Sequence, residues 1–349
     1  MATVDRSPAA GSGKPAPAGA RRTTLAVVAH LAGVSVATVS KVVNGRSDVA
    51  PGTRSRVQEL LRRHEYVAPV ARRAQPAPLP TIEVQFAGDL KPYVAEALGG
   101  VVDAAGELGV AVVVSQPDRG PRWARDLVST GRQALIAVTS VYTPAYLDAL
   151  TQAGLPLVVL DPQHQPHSDV NSVGPTNFAG GFAATQHLLG LGHHRIAYLG
   201  GPAVAAANQA RVHGYRAAME AKKVPVPGAY VRSGEFTYET GMLGAAALLD
   251  LAEPPTAVFA ANDEIALGVV ETARTRGLRV PEDLSVVGFD DTLLARVASP
   301  PLTTVRQPLR EMGGVALRTA LRLAVGEKLE SHHVELATEL VVRASTAPI

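Results

Sequence analysis

Between Leu25 and Tyr66, apolar residues recur at three- and four-residue spacing in three short runs separated by tight breaks, the pattern of small amphipathic helices. Leu25, Val28, Ala29 and Ala32 share one face behind Thr24, which stands where an N-cap belongs, and Gly33 supplies the permissive backbone of a sharp helix-ending turn. A second helix is expected over 36–43, capped by Ser35, with Val39 and Val42 inward and Val36, Ala37, Ser40, Lys41 and Asn44 on or near its outer face. A third is expected over 51–64, where Pro51 suits a first turn, Val57, Leu60 and Leu61 form the buried stripe, and Arg54, Arg56, Arg62 and Arg63 stay outside. From Thr81 the rhythm changes to short β-branched runs (111–115, 134–139, 156–160, 195–199, 257–260, 284–287) alternating with helical patterns (93–108, 146–153, 177–191, 211–222, 237–250, 264–276, 309–325). Alternation of this kind predicts α/β architecture with parallel sheets flanked by helices, and more than 250 residues of it suit two lobes.

A chain of 349 residues with 46% hydrophobic positions has material for two or three folding units. The expected division is a disordered tail over 1–20, rich in Ala, Gly, Pro and Ser, a helical domain over 21–67, a linker over 68–80 that holds four prolines, and a two-lobed domain over 81–349. Charge sharpens this division. Residues 1–75 hold 12 of the 33 Lys and Arg but only 4 of the 31 Asp and Glu, so a head of net charge +8 precedes a body of net charge −6, which implies a polyanion partner for the head alone. The absence of cysteine removes disulfides and thiolate metal sites. No phosphate-cradling glycine loop and no nucleophile elbow occurs, so an enzyme is not expected. His187, His193 and His194 bracket a helix end and a strand start without the spacing of a ligand set, and neither metal nor cofactor is expected. With no apolar run long enough for a signal peptide or a bilayer span, a cytoplasmic protein free of membrane partners is expected.

The stretch Thr24-Leu25-Ala26-Val27-Val28-Ala29-His30-Leu31-Ala32-Gly33, continued by Val34-Ser35-Val36-Ala37-Thr38-Val39-Ser40-Lys41-Val42-Val43-Asn44-Gly45, resembles the DNA-binding module of the lactose-repressor/galactose-repressor family. The resemblance implies a helix-turn-helix whose second helix enters the major groove. Val36 and Ala37 would then occupy the reading positions, and Thr24, Ser35, Thr38, Ser40, Lys41, Asn44 and Arg54 would bind phosphates or bases, with Arg72 and Arg73 of the linker adding minor-groove or phosphate contacts. Three positions depart from the family. Val27 replaces an Asp near the first helix start, Ala50 replaces a capping Ser or Thr, and Gln75, followed at once by Pro76, stands where the family wedges a Leu between base pairs. A hinge helix interrupted by Pro76 would hardly exceed two turns.

The resemblance continues through 177–181, 187–201, 258–268, 281–291 and 300–313 and closes at Glu339-Leu340-Val341-Val342-Arg343. It implies a sensor of periplasmic-binding-protein type, in which a ligand sits between the lobes beyond the strand ends. Arg211 and Asp290 would donate to and accept from adjacent hydroxyls. Asp89, Arg119, Asp161, Asn262 and Gln307 would add polar contacts, and Phe236 and Phe178 would pack on the apolar face of a sugar ring. The resemblance thus implies a homodimeric repressor that binds a roughly palindromic operator and responds to a small molecule, expected to be a sugar of xylose type or a plant-derived oligosaccharide. Two rivals share the fold: a solute-binding protein of transport, and a regulator that tightens on DNA with a purine-type co-repressor.

Overall fold

The computed structural model describes residues 24–64, 66, 79–117, 120, 122–139, 142–164 and 169–349. The expected tail and the expected contacts Arg72, Arg73 and Arg119, like the hinge positions Gln75 and Pro76, lie outside the described residues. The chain divides into two compact units, meeting in sequence at Pro78 and Leu79.

The first unit is three helices, α1 (Leu25–Ala32), α2 (Val36–Val43) and α3 (Pro51–Arg63). Val28, Ala29, Ala32, Val39, Val42, Val49 and Val57 form its core, which follows the apolar spacing of the sequence. Gly33, at φ +64°, ends α1 in the left-handed region. Its N–H bonds to the His30 carbonyl and that of Val34 to the Ala29 carbonyl, so the orphan carbonyls of α1 are satisfied while the chain turns. The axis bends by 108° from α1 to α2. Ser35 caps α2, its Oγ accepting from the Thr38 N–H at 3.1 Å. Thr24 occupies the N-cap position of α1 with extended backbone but makes no side-chain cap bond, and Ala50 makes none at α3, where Pro51 opens the first turn.

The second unit contains two six-stranded sheets. Lobe 1 is built from β1 (Thr81–Phe86), α4 (Pro92–Leu108), β2 (Ala111–Ser115), α5 (Trp123–Ser129), β3 (Arg132–Val138), α6 (Pro144–Ala153), β4 (Leu157–Leu160) and β5 (Asn171–Pro175). The chain then enters lobe 2 with α7 (Asn177–Gly190), β6 (Ile196–Gly200), α8 (Ala206–Ala221), β7 (Val231–Ser233), α9 (Tyr238–Leu249), β8 (Ala257–Ala260), α10 (Asp263–Thr275), β9 (Ser285–Asp290), α11 (Leu293–Val297) and β10 (Thr303–Arg306). It returns as α12 (Leu309–Ala324) and β11 (His333–Leu336) to lobe 1 and ends with β12 (Glu339–Val341) in lobe 2. Strand orders are β11-β5-β4-β3-β1-β2 and β12-β10-β9-β8-β6-β7. Among the described residues every pairing is parallel except β10 with β12. That exception was not expected: β12 follows β11 across a two-residue link with no helix to return the chain, so it enters the second sheet in reverse.

The chain passes between lobes three times, and two of the crossings are tied together. Thr338 N–H donates to Thr176 Oγ1 at 3.0 Å, and Thr338 Oγ1 donates to the Thr176 carbonyl at 3.2 Å. Helix α8 begins five residues before the expected start, at Ala206. His187 and His193 hold the last residues: His193 bonds Thr256 through Nδ1 and the Ala347 carbonyl through Nε2, and His187 bonds Thr346.

Three helix pairs cross at backbone distance because each partner presents a glycine. A Cβ on Gly100 of α4 would lie 1.9 Å from the Arg310 carbonyl oxygen, and one on Gly313 of α12 would lie 2.2 Å from that of Ala97. Gly181 and Gly214 do the same for α7 and α8, Gly241 and Gly268 for α9 and α10. Gly100→Ala should therefore cost at least the ~1–3 kcal/mol of overpacking, whereas Gly106→Ala on the same helix, where a Cβ meets nothing within 4 Å, should be neutral or gain up to ~1 kcal/mol of helix propensity. Urea unfolding of the two variants checks the contrast, and equal midpoints would refute the close-crossing account.

Candidate functional site

The outer face of α2 carries most of the residues expected to read DNA. Ser35, Val36, Ala37, Lys41 and Asn44 are exposed, and Thr38 and Ser40 half-buried beside them. Val36 is 47% exposed on the first turn of α2 and stands outside the core of the unit. Several polar members are already engaged. Ser35 and Thr38 share a 2.9 Å hydroxyl contact, Asn44 donates to the Ser40 carbonyl at 2.9 Å, and the Lys41 ammonium is 2.7 Å from Asp48. Arg54 is the largest departure. Expected on the outer face, it folds back half-buried and donates to the Arg46 carbonyl, closing the loop between α2 and α3. Arg46 itself, which no sequence pattern singled out, is exposed in that loop.

In the second unit a cavity of about 490 Å³ lies between the lobes. It is lined by Asp89, Asp161, Arg211, Phe236, Asn262 and Asp290 among the expected residues. Three strand ends deliver lobe-specific groups through backbone that only a firmly held segment adopts: Thr139 after β3 at φ +44°, Asp161 after β4 at φ +51°, and Asp290 closing β9 at φ +107°. Asp291, at φ +57°, is likewise not extended. The Asp291 carboxylate is drawn to Arg343 and Arg306, at 2.5 and 2.8 Å.

Arg211 is 3% exposed. Its Nε donates to Asn177 Oδ1 at 2.8 Å, its Nη1 donates to the Ala261 carbonyl at 2.6 Å and lies 3.8 Å from Asp290, and its guanidinium sits 3.8 Å from the centre of the Phe289 ring. Both partners of the Arg211–Asp290 pair belong to lobe 2, so the pair is not an interlobe salt bridge. Among the described residues Nη2 makes no hydrogen bond, so its two N–H groups are not spent within the protein. Asn262 caps α10 through Oδ1, which accepts from the Ile265 N–H at 2.9 Å, so its amide N–H groups are the part left to the cavity. Gln307 does not line the cavity. It stands behind Asp290, donating to it at 2.5 Å, with its own Oε1 buried and without a hydrogen-bond partner among the described residues. Phe178 also lies off this cavity, 49% exposed on the first turn of α7 and stacked toward Phe182.

Burial raises two of the cleft carboxyls, Asp161 and Asp290. Asp290 is pushed well above the ordinary 3.8, with Arg211 opposing and Asp263, itself pushed up to about 7 by burial, adding to the rise. Asp161 is raised by burial against the pull of Arg211 and of the Tyr93 hydroxyl. Tyr93 donates to Asp161 at 2.8 Å, and burial raises its own pKa well above 10. Tyr93, Lys91 and Glu264 were not expected here. The signal available was position, because 87–93 follows the first strand of the unit just as Asp161 follows β4. Lys91 crosses the cavity mouth: its ammonium donates to the Phe236 carbonyl at 2.9 Å and lies 3.4 Å from Glu264. The Ala206 N–H makes a second bridge to the Gln163 carbonyl at 2.9 Å.

Comparison with known proteins bears on both units. Residues 24–68 match the model of bacterial regulatory proteins of the lacI family, and 185–346 match that of the periplasmic binding protein-like domain. The HTH-type transcriptional regulator DegA of Bacillus subtilis (strain 168) is 34% identical over 336 residues, 94% of this chain and 99% of that protein. The HTH-type transcriptional regulator CelR of Thermobifida fusca is 35% identical over 335 residues, 93% and 98% of the two chains. A solved complex of the transcriptional regulator CelR with cellobiose superposes with a TM-score of 0.70 at 34% identity, over 93% of this chain and all of that one. The lac repressor dimer bound to operator and the anti-inducer ONPF gives 0.68 at 29% identity, over 94% and 100%. Among the described residues no single helix is long and apolar enough to cross a membrane. With relatives matched along nearly their whole length and each unit meeting its own domain model, the chain belongs to the lacI family of bacterial regulatory proteins, which are DNA-binding transcriptional regulators.

Proposed function

We propose that this regulator is a cytoplasmic, homodimeric repressor, released from a roughly palindromic operator when a neutral sugar of xylose type or a plant-derived oligosaccharide binds between its lobes. The observation that carries the ligand class is the charge of the cavity wall. Asp89, Asp161, Glu235, Glu264 and Asp290 face it, against Lys91 and Arg211, and both cations already stand beside carboxylates, Glu264 and Asp290. A phosphorylated or otherwise anionic ligand would meet this acidic surplus without a free counter-charge. Hydroxyl groups suit it: they donate to Asp161 and Asp290 and accept from Arg211 Nη2 and the Asn262 amide. The cellobiose bound by the similar CelR is a ligand of this kind.

Both lobes contribute to that wall, so bound ligand favours one lobe arrangement over another, and this differential affinity is what allosteric control requires. A dimer supplies the two-fold symmetry that a palindromic operator demands. Exposed Val102 and Leu108 on α4 and Val114 on the edge strand β2 give lobe 1 an apolar margin suited to a second copy. Selection of bound sequences from random duplex DNA by the full chain, with and without a panel of mono- and oligosaccharides, tests the whole reading. A palindromic consensus depleted by one sugar is expected, and salt-sensitive binding without sequence preference would sink it.

The two units should separate by mutation. Lys41→Ala is expected to weaken operator binding and lower the salt slope by about 1 without altering sugar affinity. Arg211→Ala is expected to leave operator binding in place and to reduce sugar affinity by roughly tenfold or more, since it removes the ligand's donor and strands Asp290. Fluorescence anisotropy with labelled operator, run beside calorimetry with sugar, reads both, and coupled losses in either variant would contradict the division. Acid should weaken sugar binding early. Asp161 and Asp290 accept hydroxyls as carboxylates, and their raised pKa values mean that protonation begins while the pH is still well above 3.8. Affinity is thus expected to fall as pH is lowered, beginning above the ordinary carboxylate range, by up to about tenfold per pH unit for each group, and an affinity that does not change with acidification would show that neither carboxylate accepts from the ligand.

A further inference from the structure

A second cavity, of about 720 Å³, adjoins the first. Asp161, Pro162 and Ala207 belong to the walls of both, so the two are compartments of one interlobe space. The boundary between them is marked by the hydrogen bond from the Ala206 N–H to the Gln163 carbonyl, whose residues line the second and first compartments respectively. Each volume falls within the roughly 300–1,000 Å³ of small-molecule sites.

The second compartment has its own chemistry. Phe178, which packs on no core and is half exposed, presents its ring at the start of α7, and Ser172, His333 and Glu335 stand on the paired strands β5 and β11 of the opposite lobe. Ser172 Oγ and His333 Nδ1 are 3.0 Å apart, which holds the imidazole at one edge. A compartment lined by an aromatic ring together with hydroxyl, imidazole and carboxylate side chains suits a pyranose, whose C–H face is apolar and whose rim is hydroxylated. Among the described residues no Lys or Arg lines this compartment, so a phosphate has no counter-ion here. Asn177 joins the compartments: it lines the second while its Oδ1 accepts from Arg211 Nε in the first.

We propose that the second compartment is a subsite for a further sugar ring, so that the effector is an oligosaccharide whose first ring is held at Arg211 and Asp290 and whose next lies between Phe178 and the Ser172–His333–Glu335 edge. The inference rests on the functional reading above and adds a chain-length requirement to it. Calorimetry of the full-length protein against ladders of one to four β-linked glucose units and one to four β-linked xylose units tests it, in the wild type and in Phe178→Ala and His333→Ala. Within one ladder, affinity should rise by roughly tenfold or more from one ring to two or three, and that ratio should drop below about threefold in both variants. Phe178 and His333 are exposed, so neither variant threatens folding; operator binding by each is the control. Monosaccharide binding with no gain on lengthening overturns the subsite and leaves the sugar-responsive reading standing. A gain that survives in both variants overturns the subsite too, because the added ring then lies elsewhere. Absence of binding by every member of both ladders overturns the sugar reading and the subsite together.

Discussion

The ligand cleft depends on a contact that involves no ligand group: the approach of α7 to α8 through Gly181 and Gly214. A Cβ on Gly181 would sit 2.4 Å from the carbonyl oxygen of Arg211, and one on Gly214 would sit 2.2 Å from that of Phe178. Only two bare backbones can cross so closely. The consequence is positional, because the crossing sets the residue that matters most: it brings Arg211 within 2.8 Å of Asn177 and lays its guanidinium on Phe289. A long and intrinsically flexible side chain is thereby held by a carbonyl, an amide and a ring, so the cost of ordering it is met in folding.

The same logic runs through the strand ends. Thr139, Asp161 and Asp290 sit in the left-handed half of backbone space, where an L side chain is disfavoured. Neighbouring strands pin the first two: the N–H of Thr139 bonds to the Leu160 carbonyl and that of Asp161 to the Val173 carbonyl, at 2.9 and 2.8 Å. Buried carboxyls with raised pKa values are costly to keep, and each is offset by a specific donor: Tyr93 for Asp161, Gln307 for Asp290. The orphan Oε1 of Gln307 is the visible remainder of that arrangement.

Legibility in the sequence followed the range of the interaction concerned. The helix-turn-helix was readable almost residue by residue, because its determinants are local: the spacing of Val39 and Val42, the Ser35 cap and the Gly33 turn all act within four residues. The α/β class was readable from the alternation of strand and helix patterns, and Asp89, Asp161 and Asp290, which the family resemblance implied, do line the cavity at strand ends. Contacts closed by tertiary structure were not. Lys91 meets Phe236 from 145 residues away, and Tyr93 meets Asp161 from 68, with no periodicity to announce either. Phe178 falls outside the first cavity, against expectation, where it stacks on Phe182 one turn along the same helix. Strands β11 and β12 escaped notice because their exposed His333, Glu335 and Glu339 interrupt the apolar pattern by which a covered parallel strand is recognised.

The groups that line the cavity of the second unit are divided between its lobes. Lobe 1 supplies Tyr93, Asp161 and Lys91, and lobe 2 supplies Arg211, Asn262 and Asp290, while among the described residues the chain passes between the lobes at three points, two of them fastened by the Thr176–Thr338 pair. A ligand held as proposed above would depend on their separation for its affinity and by reciprocity would act on that separation. The Lys91 bridge to Phe236 and Glu264 takes part in the same balance without any ligand, since it joins the lobes through a partly exposed ammonium whose bonds water can replace at little cost. A contact of that strength joins the lobes and still lets them part, so on the proposed reading a small polyol with a few well-placed hydroxyls would be enough to decide the outcome.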